Sequence, residues 1–299
     1  MIRERKPDWL KVRAPGGERY AFLKTTLRTL DLHTVCEEAR CPNVGECWAS
    51  GTATFMLLGD VCTRGCRFCA VTTGNPRGAY DPREPEQVAE AVLRMQLDYV
   101  VLTMVDRDDM LDGGAAIVAR TVRTIKARHP KALVETLTGD FQGDREAIRA
   151  VVEAGGEVFA HNVETVRRLT REVRDVRCDY DKTLEVLRFA RSLPGRHLTK
   201  SSIMVGLGET DAEVVDTMRD LRGAGVEILT IGQYLRPSEK HHGVVEYVEP
   251  AVFARWQAAG HEMGFRYVAS GPLVRSSYKA GEVFIQSLFQ KEHGDLARA

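Results

Sequence analysis

From about residue 52 onward, short apolar runs alternate with longer stretches whose apolar positions recur every three or four residues. The runs Ala53–Leu58, Tyr99–Thr103, Ala132–Thr136, Glu157–Ala160, Ser201–Val205 and Ile228–Ile231 are mostly apolar, and several are rich in Val or Ile. Such runs predict strands covered on both faces. The segments between them have helical spacing. Gln87–Met95 places Val88, Ala91, Val92 and Met95 on one face after an acidic, proline-containing start. Gly114–His129 runs to Pro130, and Asp144–Glu153 stops before the Gly155-Gly156 pair, as a helix C-terminus does. Asp181–Leu193 ends at Pro194-Gly195, and Asp211–Ala224 ends at Gly225 with Asp211 as the predicted N-cap.

Six strand–helix units in succession predict a parallel sheet with right-handed crossovers. A complete barrel of this kind needs eight. The expected fold is therefore α/β, a partial (β/α)6 TIM-like barrel over residues 52–264. An N-terminal extension over 1–51 and a C-terminal extension over 265–299 flank it, with no repeat, low-complexity block or linker between the parts.

Charge and cysteine content then narrow the chemistry. The 299 residues carry 42 Lys+Arg and 42 Asp+Glu, a net charge of zero. That balance speaks against nucleic acid or an anionic membrane as partner. The close group Arg167, Arg168, Arg171 and Arg174 reads as a solvated helix face. No apolar stretch reaches the roughly 18–20 residues of a bilayer span. The N-terminus, Met-Ile-Arg-Glu-Arg-Lys-Pro-Asp-Trp-Leu, has neither a signal-peptide core nor the acid-poor character of a transit peptide. A reducing cytoplasm is expected, where clustered cysteines read as metal ligands before disulfides.

Six of the seven cysteines form two triplets: Cys36, Cys41 and Cys47 (C-x4-C-x5-C), then Cys62, Cys66 and Cys69 (C-x3-C-x2-C). Thiolates suit iron–sulfur clusters or zinc. A closed structural site normally takes four, so a triplet points to a metal held partly open for chemistry. The second triplet follows the first predicted strand directly, at the barrel end where active sites are built. Spacing alone leaves open a zinc knot completed elsewhere in the chain. Cys178 reads as a spare thiol, and His241-His242 as a surface loop, since adjacent residues rarely face one ion.

The run Cys-Thr-Arg-Gly-Cys-Arg-Phe-Cys, with Phe68 before its last cysteine, resembles the signature of the radical S-adenosylmethionine (SAM) enzymes. With both triplets in view the chain resembles the lipoyl synthases within that superfamily. The most specific match is Leu32-His-Thr-Val-Cys-Glu-Glu-Ala-Arg-Cys-Pro-Asn-Val-Gly-Glu-Cys47. Val105-Asp-Arg-Asp-Asp109, Asp112-Gly-Gly114, His161-Asn-Val-Glu164, Thr199-Lys-Ser-Ser, Gly206-Leu-Gly-Glu-Thr210, Gly232-Gln-Tyr-Leu-Arg-Pro237 and Gly271-Pro-Leu-Val-Arg-Ser-Ser-Tyr278 continue it from Lys6 to about Gly281. Met104 departs from the small residue expected there.

The resemblance implies a sulfurtransferase with two 4Fe–4S clusters and SAM. Cys62, Cys66 and Cys69 would hold the cluster whose open iron chelates SAM. Cys36, Cys41 and Cys47, with Ser277 as fourth ligand, would hold an auxiliary cluster that is consumed as sulfur donor. The reaction it implies is insertion of two sulfurs at C6 and C8 of an octanoyl chain on a lysine. That lysine belongs to a lipoyl carrier, such as an E2 subunit of a 2-oxoacid dehydrogenase or the glycine cleavage H protein. A flavodoxin or ferredoxin as electron donor and an iron–sulfur carrier for cluster rebuilding are further implied partners.

At predicted strand ends, Asn162, Glu164, Lys200 and Gln233 are the expected SAM contacts, and Gly206-Leu-Gly208 would pass beside adenine. Arg107, Asp108 and Asp109 either orient a ligand or pair with one another, and Arg275 is expected to shape the auxiliary site. Two rivals remain at this point. One is a biotin-synthase-like or methylthio-transferring radical SAM enzyme, against which the upstream cysteine arm and Arg-Ser-Ser-Tyr speak. The other is a non-catalytic electron carrier or zinc-stabilised binding protein, which would not need so many strand–helix units.

Overall fold

All six predicted strands form in a computed structural model of the chain, which describes residues 6–12, 16–39, 41–49, 54–277 and 284–289. In chain order the strands are β1 (His33–Thr34), β2 (Thr54–Leu57), β3 (Val61–Cys62), β4 (Thr72–Thr73), β5 (Tyr99–Met104), β6 (Leu133–Leu137), β7 (Val158–Ala160), β8 (Leu198–Val205), β9 (Ile228–Gln233) and β10 (Tyr267–Gly271). Eight of them make one sheet in the order β1-β2-β5-β6-β7-β8-β9-β10. Every pairing is parallel except β1 with β2. The edge strands β1 and β10 do not pair, so the barrel is open, as a partial barrel requires.

The crossover helices Glu84–Met95, Ala115–Arg128, Arg145–Val152, Tyr180–Ser192 and Asp211–Gly223 lie close to their expected bounds. Val88, Ala91, Val92 and Met95 are all buried, as their spacing predicts. Each such side chain contributes about 1.5–3 kcal/mol by leaving water. One cap differs from expectation. Thr210, not Asp211, caps the helix, with Glu213 completing a capping box. The Asp211 carboxylate instead accepts the Trp256 indole N–H at 2.7 Å. That bond ties down the helix Pro250–Glu262, which leads into β10.

The sheet extends beyond the six expected strands. β10 continues it in parallel beside β9, so the segment after residue 265 opens as a seventh barrel strand. Its sequence, Tyr-Val-Ala-Ser-Gly, is short and weakly apolar, which is why its pattern did not read as a strand. Further on, Ile285 and Phe289 bury against Tyr99, Leu133, Val158, Leu198 and Ile228, near the starts of five strands. The C-terminal segment thereby plugs the end of the barrel opposite the loops. Nor is the arginine group one solvated face. Arg167 and Arg168 are exposed and paired with Asp181 and Glu213. Arg174 is buried, donating to the Val163 carbonyl and the Thr183 hydroxyl.

Candidate active site

At the C-terminal ends of the strands lies a cavity of about 530 Å³. Both cysteine triplets line it, together with Asn162, Glu164, Gln233, Cys178 and Ser277. The second triplet comes straight off β2. Leu58 (φ 69°) and Gly59 (φ 85°) turn the chain, and the Leu58 N–H donates to both carboxylate oxygens of Glu84 at 3.0 and 2.9 Å. β3 then delivers Cys62.

A buried arginine holds this loop. Arg64 Nε and Nη2 reach the two carboxylate oxygens of Asp108 at 3.0 and 2.8 Å, and Nη2 also reaches Asp140 at 2.6 Å. Burial opposes charge on Asp140, but its bond from Arg64 prevails and keeps the carboxyl well below its ordinary range. At Asp106 the balance reverses. Burial outweighs Arg64, 3.6 Å away, and lifts the carboxyl to about 7. Gly139 permits this packing, since a Cβ there would stand 2.1 Å from an Asp106 oxygen.

Neighbouring loops clip the triplet further. The Asp175 N–H donates to Cys66 Sγ at 3.3 Å, while the Asp175 carboxylate accepts Gly65 N–H at 2.8 Å. His241 Nε2 donates to the Cys69 carbonyl at 2.9 Å, and His242 N–H to the Arg67 carbonyl at 2.7 Å. The histidine pair is thus a fastener of the cysteine loop and not a free surface loop; His242 is buried.

The first triplet is built on the arm. The Thr34 hydroxyl caps the short helix Val35–Glu38, and Cys36 within it packs on Thr54 of β2. Cys41 N–H donates to the Cys36 carbonyl at 3.0 Å, and Cys47 N–H to the Asn43 carbonyl at 2.9 Å. Asn43 Nδ2 then reaches the Leu273 carbonyl at 2.7 Å, joining the arm to the segment after β10. That segment lies hard on β9: a Cβ at Gly232 would meet the Val274 carbonyl at 2.0 Å. The approach sets Arg275 beside Cys41 and brings Ser277 to the cavity wall.

The donor set fits the groups that the cysteine spacing implies. Burial raises the Cys36 and Cys62 thiols to about 11, and raises Cys69 too, so metal binding must displace their protons. No three Cys, His or acidic side chains among the described residues are placed to hold a single ion. The thiols instead surround a volume, as cluster ligands do. Ser277 Oγ is buried with no hydrogen-bond partner, and so is Arg275 Nη2. Buried polar atoms are normally paired, so Ser277 Oγ stands as an unused donor atom on the cavity wall.

Other expected contacts are placed differently. Lys200 does not line the cavity. It is buried within β8, its Nζ 2.7 and 2.8 Å from both oxygens of Glu135, which also accepts the Tyr99 hydroxyl at 2.6 Å. Its charge is spent inside the sheet. Gln233 reaches the wall, but its Nε2 donates to the carbonyls of Val205, Tyr234 and Glu246, and its Oε1 accepts Val248 N–H at 2.8 Å. Gly206 (φ 91°) makes room for that same amide, 2.2 Å from where its Cβ would be. Asn162 Nδ2 donates to Glu164 Oε1 at 3.1 Å, and Glu164 sits at φ 68° with its carboxyl raised by burial. Such a backbone position in a non-glycine residue often marks a functional site.

Arg107 and Asp109 pair bidentately at 2.8 Å, and Asp108 is taken by Arg64, so these charges brace one another. Met104 lines the cavity. The spacing of the chain missed Asp140 and Cys178, because neither lies in or near a cysteine run and both reach the site through the fold.

Comparison with known proteins agrees with this geometry. The radical SAM superfamily model matches residues 56–221, and the model of the N-terminal domain of lipoyl synthase matches residues 1–41. The lipoyl synthase of Sorangium cellulosum is 64% identical over 96% of this chain and 81% of its own length. That of Thermus thermophilus is 58% identical over 94% of this chain and 87% of its own. Among solved structures, methylornithine synthase superposes with a TM-score of 0.55 at 15% identity, covering 84% of this chain and 82% of that one. An FeFe-hydrogenase maturase from Carboxydothermus hydrogenoformans gives 0.53 at 12% identity, over 90% and 71%. These two likenesses concern the fold. The family models and the close relatives go further, and by them the chain belongs to the lipoyl synthase family of radical SAM enzymes.

Proposed function

We propose that the chain inserts sulfur at C6 and C8 of an octanoyl group carried on a lysine of a lipoyl carrier domain. The observation that carries this reading is the shared cavity. Two thiol triplets from different parts of the chain open into it, with the unpartnered Ser277 Oγ on the same wall. When bound, one cluster and SAM supply a hydrogen-abstracting radical, and the auxiliary cluster is the substrate that gives up sulfide.

The chain's own residues divide the remaining work. Cys62, Cys66 and Cys69 would hold one cluster and leave an open iron for SAM. Asn162 and Glu164, hydrogen-bonded to each other after β7, would hold the amino and hydroxyl groups of SAM. Gln233 positions the loop after β9 and so shapes the SAM side of the wall. Lys200, closed in its pair with Glu135, keeps the strands in register below the site. Cys36, Cys41, Cys47 and Ser277 hold the auxiliary cluster. Serine oxygen is a harder ligand than thiolate and a poorer match for iron–sulfur chemistry, which suits a bond that must open as sulfur leaves. Met56, Phe68, Val71, Met104 and Leu137 give the cavity an apolar wall that suits an acyl chain and excludes water.

The partners that fit are E2 subunits of 2-oxoacid dehydrogenases and the glycine cleavage H protein. A flavodoxin or ferredoxin would serve as reductant, and an iron–sulfur carrier would restore the spent cluster. A cytoplasmic location fits the bacterial relatives, whose names carry no targeting qualifier. No helix among the described residues is long and apolar enough to cross a membrane.

The test is anaerobic reconstitution, followed by mass spectrometry of an octanoyl-lysyl peptide incubated with SAM and dithionite. A gain of two sulfurs is expected. Ser277→Cys should keep the auxiliary iron yet yield less sulfur product. Full product from Ser277→Ala would remove the serine from the ligand set.

A further inference from the structure

Cys178 stands outside both triplets, yet the fold carries it to one of them. Its N–H closes a turn onto the Asp175 carbonyl at 2.9 Å, just before Asp179 caps the helix Tyr180–Ser192. The side chain is buried, and Arg64 Nη1 lies 3.6 Å from its sulfur. Its thiol is a neighbour of the Cys66 thiol. Both residues line the cavity, so a small solute that enters comes up against the pair. Asp175 stitches the two segments through Cys66 Sγ and Gly65 N–H, which holds the thiols in register. A thiol pair in this contact has only to close to the bond length of about 2.05 Å.

We infer that Cys178 is the oxidation partner of Cys66: in the cluster-free chain a peroxide joins the two sulfurs as a disulfide. One sulfur attacks the peroxide, the O–O bond breaks, and a sulfenic acid and water form. The second sulfur displaces the sulfenic oxygen as another water. Two thiol protons and two electrons thus pass to one hydrogen peroxide. A dithiol reverses the step by exchange. With Cys66 on iron the bond cannot form, so the modification belongs to the unloaded chain. It would keep Cys66 from cluster assembly until reduced, a consequence that rests on the ligand role proposed for Cys66.

The sequence makes the test clean. Trypsin cleaves after Arg64, Arg67, Arg77, Arg177 and Lys182, so Cys62, Cys66, Cys69 and Cys178 emerge on four separate peptides. Full-length protein stripped of iron by a chelator is treated with about one equivalent of hydrogen peroxide, alkylated and digested. The expected product is Gly65–Arg67 linked to Cys178–Lys182. Recovery of Cys66 free, or linked to Cys62 or Cys69, overturns the inference. Iron loading provides the second arm. Oxidised wild-type protein should take up about half its iron until dithiothreitol restores it, while Cys178→Ser and Cys178→Ala load fully without reductant. Equal loss of loading in these variants would also count against the pair. If the linkage forms but both clusters still load, the disulfide stands and the ligand role of Cys66 falls.

Discussion

The two cysteine triplets share a cavity but are mounted in opposite ways. Cys62, Cys66 and Cys69 sit on a loop bolted to the barrel by a buried arginine, acidic side chains from two other strand ends, and two histidines. Cys36, Cys41 and Cys47 sit on an arm that meets the barrel through apolar packing and the short β1–β2 pairing. Trp48 is fully buried, lies with its ring tilted against Tyr20 at 5.0 Å, and joins Leu23, Leu27 and Cys36 in the core. Among the described residues a side-chain bond from Asn43 to Leu273 links the arm to the segment bearing Ser277. Rigid polar bracing suits a centre that must return to one geometry after every turnover. Apolar seating with a two-residue strand pairing and few side-chain ties suits a centre that is dismantled and rebuilt.

The strongest way to break this comparison is to remove one thiol from each mount. Cys62→Ala should abolish formation of 5′-deoxyadenosine from SAM. Cys36→Ala should keep it while forming no sulfur-containing product. Chromatography of deoxyadenosine and mass spectrometry of the peptide read the two outcomes separately, and sulfur product from the Cys36 variant would end the division of labour.

Next in size is the bracing itself. Arg64→Met leaves Asp140, which is 1% exposed, without its buried partner and with only the partly exposed Lys182, 3.2 Å away, as a cation. Stripping one member of such a pair costs about 3–5 kcal/mol. Urea unfolding should show that loss, and iron analysis should show the Cys62-side cluster failing while the arm still loads. Equal failure of both would mean that the two mounts do not stand apart.

Much of the braced side could be read along the chain, and much of the arm's completion could not. Alternating apolar runs and helix stops placed six strands closely, because each unit is local. Thr210-Asp-Ala-Glu213 even carries its capping-box pattern openly, though the neighbouring Asp211 drew the assignment. Lys200 is harder. In Leu198-Thr-Lys-Ser-Ser-Ile it reads as a strand-end cation, and its partner Glu135 lies two strands away in the sheet. Only the assembled barrel shows that the charge faces inward. Cys178 and Ser277 are contacts of the fold, reached across more than a hundred residues of chain. No local pattern marks either; for Ser277 the family resemblance supplied what spacing does not.

Acid should probe the braced side alone. His161 donates from Nδ1 to the Thr138 carbonyl at 2.8 Å, and burial, with Arg174 adding, holds the imidazole down to about 4. Unfolded chain therefore binds the extra proton first, and this share of stability, present above pH 6.5, is lost as pH falls through about 4. The shift corresponds to something on the order of 3 kcal/mol. Asp106, raised to about 7, runs the other way and loses stability as pH rises through its window. The difference between wild type and His161→Gln isolates the histidine, and thermal unfolding between pH 7 and about 4 should show it. A variant with the same acid slope as wild type would put the sensitivity elsewhere.

The smallest effect bears most directly on how the arm works. Asn43 is buried and spends its amide on the Leu273 carbonyl, a tie across 230 residues. Asn43→Ala leaves that carbonyl unpaired, at a cost of about 1–3 kcal/mol. Global stability should move little beyond that, because the apolar seat of Trp48 is untouched. The consequence should be local: the segment carrying Arg275 and Ser277 loses its hold on Cys41's neighbourhood, and the auxiliary cluster loses iron faster under a chelator. The Cys62-side cluster, braced from other loops, should keep its chelation rate. Asn43→Asp keeps the size but offers no amide donor and should behave like alanine. If both clusters in Asn43→Ala lose iron at the same raised rate, the tie is a general support of the barrel mouth and not the fastening of the centre that is rebuilt.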